Sequence, residues 1–226
     1  MIRPPDRTGI AVLFSAGLDS AVLLAHAARE HPEARIQPLY VRAGLAWERE
    51  EQEIAVRLLA SRAYSSSVLA LATLTVDMRD VYPASHWAIR GEPPAYDTPD
   101  EEVYIDGRNI VLLSKASVFM ARHSLGRVMI GPLAGNPFPD ATPEFFTAMG
   151  DALSRGLDTL IAVDAPFREM KKSDVIALGR TLGVPLELTM SCMQPRDGIH
   201  CGRCSKCRER IEAFRDAGGV DPTVYR

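Results

Sequence analysis

All four cysteines of the chain, Cys192, Cys201, Cys204 and Cys207, fall in one short stretch reading SCMQPRDGIHCGRCSKC. Thiolates separated by two residues both reach one tetrahedral ion at about 2.3 Å, and the overlapping pairs Cys201/Cys204 and Cys204/Cys207, with Cys192 upstream, supply four sulfurs. Four sulfurs close the coordination sphere of a zinc ion, so such a site shapes a tail and leaves no position for a reacting water. His200, next to Cys201, could replace one sulfur, although four cysteines make it unnecessary. Nothing in the first thirty residues resembles a secretory signal, so reduced thiols in the cytoplasm are expected, not disulfides. Catalytic chemistry must come from another part of the chain.

That part is the N-terminal run Ile10-Ala11-Val12-Leu13-Phe14, which stops at Ser15-Ala16-Gly17-Leu18-Asp19-Ser20 and passes into Ala21-Val22-Leu23-Leu24-Ala25. It reads as strand, tight turn, helix. A turn of small residues lets the backbone approach a ligand, and a helix start offers free N–H groups and a positive dipole end, which suit phosphate. Ser15 and Ser20 add hydroxyl donors. Asp19 would repel a polyphosphate unless a magnesium ion lay between them, so it reads as a magnesium ligand or as ordinary charge compensation at a helix start. The lysine-bearing Walker pattern and the three-glycine dinucleotide fingerprint are both absent.

These residues need a frame. Strand-like runs at Ile10 to Phe14, Ile36 to Val41, Val68 to Val76, Val128 to Gly131 and Thr159 to Val163 are interspersed with helical patterns. The helices are expected near Leu18 to Glu30, Ala46 to Ala60, Asn109 to His123, Pro143 to Arg155, Ser173 to Leu182 and Ser205 to Ala217. Alternation of this kind predicts an α/β fold, a doubly wound parallel five-stranded sheet with helices on both faces, whose ligands sit beyond the C-terminal strand ends. The least regular segment, Tyr82 to Val103, carries Pro83, Pro93, Pro94 and Pro99 among several acids, which disfavours any regular element. It reads as a lid or a surface loop. With 226 residues and no linker or repeat, a single domain over 1–226 is expected, with 190–226 as a zinc-binding helical tail.

The loop resembles the pyrophosphate loop of the N-type ATP pyrophosphatases, usually S-G-G-x-D-S, and with the cysteine cluster it is similar to one branch, the 7-cyano-7-deazaguanine synthase (QueC/ExsB) family. Tyr104-Ile105-Asp106-Gly107-Arg108-Asn109 matches a family Y-x-P-G-R-N segment. Phe138-Pro139-Asp140 with Pro143-Glu144-Phe145 matches Y-P-D-x-x-x-E-F, and the likeness continues through Lys171 to Asp174, Leu182 to Glu187 and Asp221 to Thr223. The resemblance implies an adenine nucleotide alpha hydrolase-like, Rossmann-like domain that activates a carboxylate with ATP and captures the acyl-adenylate with ammonia. A second adenylation then yields the nitrile. By this likeness ATP with Mg2+ meets Phe14, Ser15, Ala16, Gly17, Leu18, Asp19, Ser20, Gly107, Arg108 and Asn109, with Asp19, Arg108 and Lys172 in catalytic roles. Lys171 has no family match.

The expected partners are small molecules: ATP, a deazapurine carboxylate and ammonia, with a homodimer left open. A net charge of −3 and the absence of a run of about 20 apolar residues call for neither nucleic acid nor membrane. From Cys192 to Arg215 basic residues outnumber acidic ones by only three, weak support for a zinc-dependent nucleic-acid-binding regulator. A sulfur-transferring rival would need a spare thiol, and none is left over. Three departures from the family touch the pocket. Ala16 replaces a loop glycine, Arg42 to Glu48 replaces an aspartate-tyrosine-glycine-glutamine segment, and Ala141 and Thr142 stand where cysteine and arginine are usual. A related carboxylate, or an amide product, therefore stays open.

Overall fold

The computed structural model describes residues 9–64 and 67–226. Its first strand, β1 (Gly9–Leu13), is buried at every position. Ile10 and Val12 enter one core cluster, whereas Ala11 and Leu13 enter another. A strand apolar on both faces can only sit inside a sheet with helices on each side.

The elements follow in the order α1 (Leu18–Glu30), β2 (Ile36–Arg42), α2 (Glu48–Leu59), β3 (Ala72–Thr75), α3 (Trp87–Arg90) and α4 (Arg108–Arg122). After these come β4 (Leu125–Met129), α5 (Pro143–Gly156), β5 (Ala162–Asp164), α6 (Lys172–Thr181) and α7 (Ser205–Asp216). All neighbouring strands pair in parallel, in the order β3-β2-β1-β4-β5. This is the doubly wound, Rossmann-like sheet expected, and its order reverses between β1 and β4. Leu113, Ala116 and Met120 of α4 and Phe146 of α5 cover one face. Val22 and Leu23 of α1, Val175 and Ile176 of α6 and Phe214 of α7 cover the other. α1 and α6 cross closely at Gly179, where a Cβ would lie 2.8 Å from Val22 Cγ2 and 3.0 Å from Leu186 Cδ2.

Four elements depart most from the sequence reading. β3 spans Ala72–Thr75 only, because Val68 joins the sheet as an isolated bridge to Ile36 and the chain runs irregularly until Ala72. β4 begins at Leu125, earlier than its apolar run, because Gly126 and Arg127 hide its start; it ends at Met129, although Ile130 still donates its N–H to Asp164 O of β5 at 2.9 Å. β5 loses Thr159 to Ile161, since Thr159 N bonds Ser154 O at 3.1 Å and Ile161 N bonds Ser154 Oγ at 2.9 Å. The segment from Tyr82 to Val103 does contain a helix, the single turn α3. His86 Nδ1 caps it by accepting Ala88 N–H at 3.2 Å, and Gly91 ends it at φ 72°.

The tail is fastened by Arg210, whose guanidinium is fully buried. It donates to Asp221 Oδ2 (2.8 Å), Thr189 Oγ1 (2.7 Å), Ser191 Oγ (3.3 Å), Leu186 O (2.8 Å) and Thr223 Oγ1 (2.7 Å). With this set a buried cation becomes tolerable, because its charge is paired and every N–H is used.

Candidate functional site

The loop after β1 lies at the point where strand order reverses, and it is stitched together by its own serines. Ser20 Oγ donates to Gly17 O at 3.0 Å and accepts Ser15 N–H at 3.2 Å, while Ser15 Oγ accepts Gly17 N–H at 3.3 Å. Two backbone donors of the turn, Ser15 N–H and Gly17 N–H, thus each bond a serine hydroxyl, an oxygen partner that a phosphate could replace. Ala16 adopts φ 62°, the left-handed region in which glycine is usual, and its carbonyl accepts Met190 N–H at 2.9 Å. Phe14 and Leu18 contribute backbone to the wall, but both side chains are buried, and Phe14 meets Tyr64 edge-on.

Two lobes of about 280 Å3 each open on either side of the loop. Ser15, Gly17, Asp19, Glu51, Arg108, Gly131 and Phe138 line both, so they form one continuous cleft. Tyr40, Glu48, Asn109 and Asp140 wall the first lobe. Trp47 and Trp87, stacked at 5.6 Å and 15°, wall the second together with Lys172, Lys206 and Glu209.

The structure brings Asp19 and Lys172 together from opposite ends of the sequence. Lys172 Nζ lies 3.2 Å from Asp19 Oδ2 and 2.5 Å from Glu209 Oε1. Burial raises the Asp19 carboxyl above its usual range in spite of Lys172, and the other oxygen, Oδ1, is buried without a hydrogen-bond partner among the described residues. Burial also opposes charge on Lys172, yet its two carboxylate neighbours outweigh it and hold the ammonium firmly protonated. Glu209 would be raised by burial, but Lys172 and Lys206 bring it down to about 2.

Gly107, at φ 68°, turns the chain into α4 so that Arg108 faces both lobes. Asn109 lines the first lobe while bracing its wall: its N–H donates to Asp140 Oδ2 at 2.9 Å and its side-chain amide to Asp140 O at 2.9 Å. Asp140 is therefore the brace of the α4 start, raised by burial against those donors. Lys171, by contrast, is exposed, and its N–H goes to Asp174 Oδ2 at 2.9 Å.

Three acidic residues at the cleft were not singled out in the sequence. Glu48 takes the N–H groups of Ala43 (2.6 Å) and Gly44 (3.1 Å) and so shapes the segment that departs from the family pattern. Glu51 accepts from the Tyr40 hydroxyl at 2.6 Å and from the Trp47 indole, and burial pushes it up to about 7. Glu209 stands two residues beyond Cys207, 37 residues from the lysine it pairs with. The run of glutamates on α2 and the position of Glu209 beside a cysteine carry no sequence signal of a site.

The four cysteines are all buried, with sulfurs within 4.8 Å of one another. Cys204 and Cys207 Sγ are 3.5 Å apart and Cys201 and Cys207 Sγ 3.9 Å, close to the edge of about 3.8 Å expected for four sulfurs at 2.3 Å from one ion. Backbone N–H groups of Gln194 and Cys201 point at Cys192 Sγ, both at 3.2 Å, as thiolate sulfur requires. The donor set fits a single metal ion. The cluster of ligand atoms among the described residues holds these four sulfurs and not His200, whose Nε2 accepts Ser191 N–H at 3.0 Å.

A family model described as queuosine biosynthesis protein QueC matches residues 9–218. The chain belongs to the QueC family. QueC relatives include 7-cyano-7-deazaguanine synthase of Desulfotalea psychrophila, 32% identical over 95% of this chain and 97% of the relative. The enzyme of the same name from Thermoplasma volcanium is also 32% identical, over 95% of this chain and 89% of its own length. Among solved structures, the U34-tRNA thiolase NcsA from Methanococcus maripaludis with its 4Fe-4S cluster is 10% identical, covering 93% of this chain and 68% of that one at a TM-score of 0.51. That likeness shows the shared fold alone. No helix among the described residues is long and apolar enough to cross a membrane.

Proposed function

We propose that this QueC-family chain is an ATP-dependent carbon-nitrogen ligase that converts 7-carboxy-7-deazaguanine and ammonia into 7-cyano-7-deazaguanine through adenylated intermediates. The observation that carries the reading is the Ser15–Ser20 loop, opening on the cleft at the β1/β4 switch with Asp19 and Lys172 beside it. In this reading the carboxylate oxygen attacks the α-phosphorus, and the leaving pyrophosphate meets the loop N–H groups, the start of α1 and the Lys172 ammonium. Arg108 spreads its charge over the transferring phosphate from the opposite wall. Asp19, through Oδ1, would hold the magnesium that accompanies ATP and offsets its charge. Asn109 acts by fixing Asp140 and with it the start of α4. No protein nucleophile is required, since positioning and charge stabilisation suffice.

Zinc is the ion proposed for Cys192, Cys201, Cys204 and Cys207, which would keep residues 190–226 folded against a single domain in a reducing, cytoplasmic setting. A cubane cluster binds its cysteines through four separate irons and spreads their sulfurs wider than one ion does, so the close packing of these four favours a single ion. A second reading, adenylation of another carboxylate or arrest at the amide, draws on the wall from Ala43 to Glu48, which departs from the family pattern and lines the first lobe. Incubation with ATP, Mg2+, ammonium and 7-carboxy-7-deazaguanine, followed by mass spectrometry, separates these outcomes. Nitrile with AMP supports the first reading, amide as the end product or no product from a protein that still binds ATP supports the second, and calorimetry without nucleotide uptake rejects both.

A further inference from the structure

The tail that carries the cysteines also reaches the phosphate loop. Lys172 is shared between Glu209 (2.5 Å) and Asp19 (3.2 Å), and Glu209 is shared in turn between Lys172 and Lys206 (2.7 Å). Lys206 continues the series to Asp100 at 4.0 Å, so charges alternate along one wall of the second lobe. Glu209 and Lys206 stand at the start of α7, where Cys204 and Cys207 fix one side and the clamped Arg210 follows directly. Asp19 spends only one oxygen on Lys172, since Oδ1 has no hydrogen-bond partner among the described residues. Were Asp19 the sole anion for Lys172, any turn of Asp19 toward a divalent cation would strand a largely buried ammonium, which is strongly unfavourable.

We propose that Glu209 is a positioning residue for the magnesium-nucleotide complex: it keeps Lys172 paired and aimed into the cleft, so that Asp19 is free to turn to a divalent cation when nucleotide enters. The inference rests on the ATP-dependent reading above, and it gives the metal-bound tail a part in the reaction centre.

The test is calorimetric binding of ATP at varied Mg2+ to wild type, Glu209→Gln and Glu209→Asp, with elemental analysis of tail metal and thermal melts alongside. In Glu209→Gln, Lys172 keeps Asp19 as its remaining anion, so the Mg2+ needed for half-maximal ATP binding rises about ten- to a hundredfold, roughly the worth of one charge-assisted hydrogen bond. Binding of AMP without magnesium stays near the wild-type value, and Glu209→Asp recovers most of the shift. An unchanged Mg2+ requirement in a metal-replete Glu209→Gln protein overturns the inference. So does a loss of AMP binding that tracks loss of tail metal in both variants, which makes Glu209 purely structural. If wild type binds no ATP at any Mg2+ concentration, the nucleotide reading itself fails and takes this inference with it.

Discussion

Replacing Ala16 by glycine isolates the strain held in the phosphate loop. At φ 62° the Cβ of an L-residue crowds the following carbonyl oxygen at a cost of about 1–2 kcal/mol. The methyl is fully buried, so deleting it forfeits about 0.8 kcal/mol of burial, and the freedom of glycine in the unfolded chain costs about 0.5–1 kcal/mol more. The released strain offsets those losses, and Ala16→Gly is expected to leave stability within about 0.5 kcal/mol of wild type. The matched control is Ala21→Gly, equally buried but in the ordinary helical backbone of α1. It suffers both losses without relief and should cost about 1.5 kcal/mol. Urea melts of the two variants at saturating tail metal, compared at equal m-value, read the difference directly. If Ala16→Gly falls as far as Ala21→Gly, the left-handed turn stores no strain and the reasoning is refuted.

Arg210→Met fills the volume but leaves Asp221, 5% exposed at its side chain, without its cation, so denaturant melts should show a loss of about 3–5 kcal/mol. Adding Asp221→Asn should recover part of it. Glu51, raised from 4.5 to about 7, favours the fold while protonated, so its contribution is complete below about pH 4.5 and is lost as pH rises through about 7. Glu51→Gln, which mimics the neutral form, should flatten a decline of up to about 3 kcal/mol in stability between pH 5 and 8; an unchanged slope contradicts the raised value. Cys204→Ser should abolish bound metal by elemental analysis and lower Tm, whereas a chelator should lower the Tm of wild type only.

Much of this architecture was legible because it is local. The apolar run from Ile10 to Phe14, ending in small residues and a helical pattern, announces strand, loop and helix within twenty residues, and α1 begins and ends where its pattern does. The cysteines announce their site through spacing alone. What stayed hidden depends on distance or on a single atom. Ser154 peels Ile161 away from β5 with one hydroxyl, and His86 turns a proline-rich stretch into a helical turn with one ring nitrogen. The partners of Lys172 come from residues 19 and 209, and no periodicity links positions so far apart. The sequence marks Asn109 beside Arg108, but its tie to Asp140, thirty-one residues on, exists only in the fold.

The close crossing at Gly179 has a mechanical consequence. α1 carries Asp19 near its start and α6 begins at Lys172, so the gap between the two charges is set by how closely these rods lie. Any side chain at 179 would act as a wedge two turns away, prying the ammonium from the carboxylate without touching a ligand. The calibration of the ion pair therefore depends on one absent methyl group deep in the helical layer.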